Sequence, residues 1–149
     1  MKSDNITKKA TIKKVNPNYF TGKVSLRLIS VAPKPKEADV LHVKFYNGAR
    51  TKIHAHTSGQ MLIVTNGVGS LVTYSKGKKT PPFKVKLKKK ILLHEGSIAY
   101  IPAGTLHTHG SVKKNTIFSH VAMNFSNSRN AFNTSWYESN DTGTITKKI

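Results

Sequence analysis

Two glycine-bounded stretches constrain this chain more than any other feature of it. The first runs from Gly48 to Gly67 and carries His54, His56 and Gln60; the second runs from Gly96 through Pro102-Ala103-Gly104 to His107. Side chains of an extended strand alternate between its two faces. His54, His56 and Gln60 share one parity, so they point the same way if the segment is extended around a bend at Thr57-Ser58-Gly59. Two imidazoles and an amide oxygen then converge, and His107 can supply a fourth ligand atom.

The surrounding sequence is written for strands. Ten Gly and six Pro separate short runs rich in Val, Ile, Thr and Tyr, which favours β-structure with tight turns over helix. At 149 residues the chain suits one domain with a working core. Val24, Leu26 and Leu28 alternate with Lys23, Ser25 and Arg27, and Pro33-Lys34-Pro35-Lys36 then breaks the pattern. Leu41, Val43 and Phe45 alternate with His42, Lys44 and Tyr46, which turns the apolar three toward the interior and gives His42 a surface or interface role. Asn47-Gly48 and Asn66-Gly67 are tight-turn signals, and the run Met61 to Val64 returns as Ser70 to Tyr74, the layout of an antiparallel barrel.

Residues 1–18 read as a flexible arm that adds an edge strand to a partner subunit, with a turn at Asn16-Pro17-Asn18. The domain proper is expected over 19–138, with a tail over 139–149 whose end, from Thr144, is loose. Trp136 covers a barrel opening or a subunit seam.

Charge and cysteine usage narrow the partners. There are 22 Lys and three Arg against six Asp and Glu, a formal charge of +19. Lys76 to Lys90 alone holds eight lysines, with Phe83, Val85 and Leu87 alternating against Lys84, Lys86 and Lys88: a loop and then a strand with one wet face, guarded by charge against edge pairing. A nucleic-acid surface needs aromatic residues interleaved with the basic ones, and this run offers only Phe83, so specific nucleic-acid binding is not expected. The chain has no cysteine and therefore no disulfide or thiolate ligand. Neither an apolar leader nor a membrane-length apolar run is present, which favours a cytoplasmic protein.

The two stretches together resemble the paired motifs of the cupin superfamily. Gly48, His54, His56, Gly67, Gly96, Pro102 and His107 stand at the family's spacings, while Gln60 replaces the usual Glu and Ser111 the usual Asn. The amide variant, with Tyr19 to Val24, Gly59-Gln60 and His107-Thr108-His109-Gly110, resembles a branch of small cupins related to carboxymuconolactone-decarboxylase-associated cupins and cupin hydroxynitrile lyases.

This resemblance implies an all-β, double-stranded β-helix with little helix, a jelly-roll-like barrel. It implies one divalent transition metal held by His54, His56, Gln60 and His107; Mn or Fe is favoured, and Zn or Ni is compatible. His109, which shares parity with His107, and His120 are the candidate acid-base residues. Leu41, Val43, Phe45 and Asn124, or Met123 in its place, form the expected pocket for a small, partly apolar substrate. Oxygenase, lyase and isomerase chemistry all suit such a site in a homodimer, and a non-catalytic metal or small-molecule binding module is the alternative. Serine-protease-like triads, phosphate-binding Gly loops and glycosidase carboxylate pairs find no support in the sequence.

Overall fold

The computed structural model describes residues 5–6, 12–29, 37–76, 78, 80–126 and 132–149. The regular elements of the described chain are almost all strands. In order these are β1 (Ile12–Lys13), β2 (Val24–Leu28), β3 (Ala38–Tyr46), β4 (Ile53–His56), β5 (Gln60–Asn66), β6 (Gly69–Lys76), β7 (Phe83–Leu93), β8 (Ile98–Ile101), β9 (Leu106–Ser111), β10 (Ile117–Phe125), β11 (Thr134–Ser139) and β12 (Thr144–Lys148). A single 3-10 turn, Pro17–Tyr19, is the one helical element among them, and no helix is long and apolar enough to cross a membrane.

All pairings are antiparallel, in two sheets. One runs β1-β2-β3-β10-β5-β8; the other closes on itself as β11-β12-β7-β6-β9-β4, with β4 pairing back to β11. The expected alternation holds where it matters. On β3, Val43 and Phe45 are buried inward, and on β10 Phe118, His120, Ala122 and Asn124 are buried on the same side. Val43, Phe45, Leu62, Leu71, Phe118 and their neighbours make the main core; Ile53, Phe83, Leu106, Tyr137 and Ile145 make a second one. Arg50 ties β6 to β9 through hydrogen bonds to Ser70 Oγ at 2.9 Å and Thr108 Oγ1 at 3.3 Å.

Four expectations change. The end of the chain is not loose: Thr144–Lys148 is β12, beyond the expected domain end at 138, and Ile145 is fully buried. Its turn is locked by Asn140 Oδ1, which accepts from the backbone N–H groups of Thr142 and Thr144. The lysines around Ile145 had masked a one-residue anchor.

Residues 1–4 and 7–11 of the expected arm lie outside the described residues, as does the Pro33–Lys36 break. Ile12–Lys13, however, adds its strand to β2 of its own chain. The reversal comes at Pro17–Tyr19, where the Asn16 side chain accepts from the Asn18 N–H.

His42 faces away from the central histidines but is buried, not on the surface; its Nε2 is 3.1 Å from Thr65 Oγ1, which in turn meets Ser119 Oγ at 2.8 Å. On β7, Leu87 is 65% exposed despite its parity with Phe83 and Val85. The ladder to β6 slips between Thr73 and Tyr74, so Lys89 and Leu87 take consecutive partners and Lys88 is bulged out.

Candidate metal centre

The central histidines sit where the two sheets face each other. β4 turns His54 and His56 inward, and its ladder to β9 makes His54 and His107 direct cross-strand partners. The ring centroids lie 4.1 Å apart for His54 and His107, 4.9 Å for His54 and His56, and 5.2 Å for His56 and His107. One nitrogen from each lies within 4.8 Å of those of the other two. Gln60 opens β5 after the bend and stands opposite Asn124 of β10.

Hydrogen bonds orient each group. His54 Nδ1 is 2.9 Å from the Lys52 carbonyl, and His107 Nδ1 is 2.8 Å from the Thr105 carbonyl. A carbonyl only accepts, so both Nδ1 atoms carry hydrogen and both Nε2 atoms present lone pairs. His56 Nδ1 is held by Thr134 Oγ1 at 2.9 Å. The Gln60 amide donates through Nε2 to Asn124 Oδ1 at 2.8 Å.

His56 Nε2, His107 Nε2 and Gln60 Oε1 are buried and lack hydrogen-bond partners among the described residues. Buried acceptors left in this state are costly, and a divalent cation is the ligand that three lone pairs can share. The donor set of imidazole nitrogens and one amide oxygen therefore fits such an ion.

Burial also fixes protonation. His54 lies well below the usual histidine range, through burial first and then the repulsion it would suffer beside His107 and His56. Burial pushes His56 down to about 3, with His107 adding to the effect; Gln60 is close enough to offset part of it without a hydrogen bond of normal geometry. His107 is pushed down to about 4 by burial, opposed by its bond to Thr105. At neutral pH all three are uncharged, so an arriving cation displaces no proton from them.

The sign of the resulting pH dependence follows. Between about pH 4 and the unfolded value near 6.5, the unfolded chain binds protons that the folded chain refuses, so stability is full above that value and falls as pH drops through the window. Urea denaturation of metal-free protein is expected to give the same midpoint at pH 7.5 and 8.5 and a progressively lower one at pH 6 and 5. A midpoint that holds steady from 7.5 to 5 contradicts burial of neutral imidazoles here.

Beside the three histidines lies a second, linked pair. His120 Nε2 and His109 Nδ1 are 3.1 Å apart, and both residues are buried. Burial lowers both from the usual range, His120 to about 3. The two line a cavity of about 280 Å³ together with His54, His56 and Gln60.

Leu41, Val43, Phe45 and Asn124 line this cavity. Met123 does not, because its parity on β10 turns it to the outer face. Phe20, Phe132, Thr134 and Trp136 also line it, as do Lys13, Leu26, Asp39, Thr51 and Ala122, and none of these was singled out as a lining residue. Trp136 is half-buried in the cavity wall, where it stacks on His54 at 4.3 Å and on Tyr19 at 4.4 Å. The only sequence signal for this wall was the parity shared by Thr134 and Trp136. His94 stays outside the site, with its backbone N–H capped by Ser97 Oγ.

Comparison with known proteins agrees with this geometry. The cupin family model matches residues 36–145. The chain is 30% identical over 106 residues to an (R)-mandelonitrile lyase of Granulicella tundricola, covering 71% of each protein. Among solved structures it resembles a cupin-like protein of Thermotoga maritima, with a TM-score of 0.64 and 25% identity over 91% of this chain and 90% of that one. It also resembles the polyketide cyclase RemF of Streptomyces resistomycificus, with a TM-score of 0.59 and 15% identity over 83% and 78%, a likeness of fold alone. Paired motif stretches, two facing antiparallel sheets, a buried three-histidine cluster and these matches place the chain in the cupin family.

Proposed function

We propose that this cupin is a metal-dependent enzyme acting on a small, partly apolar molecule, with lyase chemistry favoured over oxygenase or isomerase chemistry. The observation that carries the reading is the set of buried, unsatisfied lone pairs on His56, His107 and Gln60, two of them, His56 and Gln60, lining one cavity with the His109–His120 pair. His54, His56, Gln60 and His107 would hold one divalent transition ion, Mn or Fe by preference. Because the four are uncharged, the bound ion keeps its full charge and supplies a strong Lewis acid toward a substrate oxygen. Identity with a mandelonitrile lyase supports a cyanohydrin or related hydroxy compound as the substrate.

In that reading His109 takes the hydroxyl proton at Nε2, since Nδ1 is engaged by His120. The carbon–oxygen bond becomes a carbonyl, the carbon–carbon bond to cyanide breaks, and the departing cyanide takes up the proton. His120 acts through His109: as acceptor of Nδ1–H it stabilises the imidazolium that forms. Leu41, Val43 and Phe45 hold the apolar part of the substrate and exclude water. The uncovered apolar side chains Ile98, at 66% exposed, and Tyr100, at 61%, on the outer face of β8 support the homodimer.

The test is metal-reconstituted protein assayed on cyanohydrins and on small hydroxy and keto compounds. His109→Ala is expected to keep one ion per chain and lose turnover by about 100-fold or more, and His120→Ala to lose less. A reconstituted wild type that binds its ion and turns over none of these replaces the enzyme with the binding module.

A further inference from the structure

Asp39 stands out in the cavity wall. The chain has six acidic residues against 25 basic ones, yet one of the six lines the cavity, and it is the one acid doing so among the described residues. Asp39 shares the inward parity of Leu41, Val43 and Phe45 on β3 and pairs directly with Asn124 of β10, which pairs with Gln60 of β5. Asp39, Asn124 and Gln60 thus form one row across three adjacent strands. Neighbouring strands lie about 4.8 Å apart, so the two ends of the row are separated by roughly 10 Å of backbone. The Gln60 end is tied to Asn124 by the 2.8 Å hydrogen bond. At the other end the Asp39 side chain, partly exposed, makes no ion pair or hydrogen bond among the described residues.

We infer that Asp39 sets substrate specificity: it accepts a hydrogen bond from a hydroxyl or ammonium group on the far end of a substrate whose near end reaches the His54, His56, Gln60 and His107 cluster. The inference deepens the substrate-site reading above and rests on it. A molecule the size of a substituted benzyl alcohol spans the row. A carboxylate at its far end meets the Asp39 charge across low-dielectric surroundings and is rejected. This runs against the field of the whole molecule, since +19 attracts anions. Screening over ~8 Å at physiological ionic strength weakens distant lysines more than a carboxylate in contact. Lys13, the one basic residue at the rim, is exposed and flexible in reach, whereas Asp39 is set by its strand.

The experiment is calorimetry of the full chain, with and without reconstituted Mn(II), against three probes. They share a benzyl alcohol body and carry an aminomethyl, a methyl or a carboxylate group at the para position. Wild type is expected to bind the aminomethyl probe at least about tenfold more tightly than the carboxylate, with the methyl probe between. Asp39→Asn, nearly isosteric and checked by its melting temperature, is expected to bring the outer two within about threefold, and Asp39→Lys to reverse them. An unchanged preference in Asp39→Asn, a wild type that prefers the carboxylate, or no binding of any probe at millimolar concentration overturns the inference. Metal content measured on the same samples separates the two claims. Full metal with no discrimination sinks the role of Asp39 alone; discrimination in a protein that takes up no metal sinks the metal reading alone.

Discussion

His107→Ala is expected to fold and to lose its metal. His107 is fully buried, pairs with His54 across β4 and β9, and offers an Nε2 with no other partner among the described residues. If binding at a site of four protein ligands is worth about 10–16 kcal/mol, one ligand carries roughly 3 kcal/mol, more than about a hundredfold in affinity. A graded control comes from Thr134→Val, which leaves every ligand atom in place and removes the hydroxyl that orients His56. Loss of such an outer partner costs about 10- to 100-fold. Elemental analysis after dialysis against a weak chelator should therefore give about one ion per chain for wild type, less for Thr134→Val and almost none for His107→Ala. Full metal content in His107→Ala would remove this histidine from the ligand set.

The second large effect concerns a glycine that carries no chemistry. Gly67 and Gly96 both adopt positive φ, at +76° and +83°. On φ alone, alanine at either position costs about 1–2 kcal/mol. They differ in what a methyl group would meet. At Gly67 an added Cβ would lie 2.2 Å from the Ile117 carbonyl oxygen and 3.3 Å from the Phe118 Cα, backbone atoms of the strand that carries His120 and Asn124. At Gly96 nothing lies within 4 Å. Gly67→Ala must push β10 away and is expected to cost about 3–5 kcal/mol in all, a large share of the ~5–15 kcal/mol that holds a domain together. Gly96→Ala should cost about 1–2 kcal/mol. Thermal and urea denaturation of the pair reads the difference, and equal losses would show that β10 yields to the methyl group.

These two glycines show how far spacing can be read. Both were marked by position as motif punctuation, and both do adopt the left-handed turn. Only the packing of β10 over Gly67 tells them apart, because that contact joins residues 50 positions distant. The central cluster was legible for a local reason: His54, His56 and Gln60 lie within seven residues, and strand parity alone turns them together. His42 was misplaced because parity assigns a face, not what covers it; the outer face beside Thr65 and Ser119 is closed where a strand facing water would be open. Ile145 was misread because one apolar residue among threonines and lysines carries little compositional weight, though it is completely buried in the second core.

By itself the sequence determined the strand alternation, the turns at Asn47-Gly48 and Asn66-Gly67, and the shared parity of His54, His56 and Gln60, since each depends on neighbours a few positions apart. The tertiary structure alone decided the surroundings. It set β11 against β4, so that Thr134 holds His56 and Trp136 stacks behind His54, and it set β3, β10 and β5 in one register, so that Asp39, Asn124 and Gln60 share a row. Those pairings join residues roughly 50 to 90 positions apart. Their register is chosen by which side chains fill the space between the sheets, and that choice is made by the whole core at once.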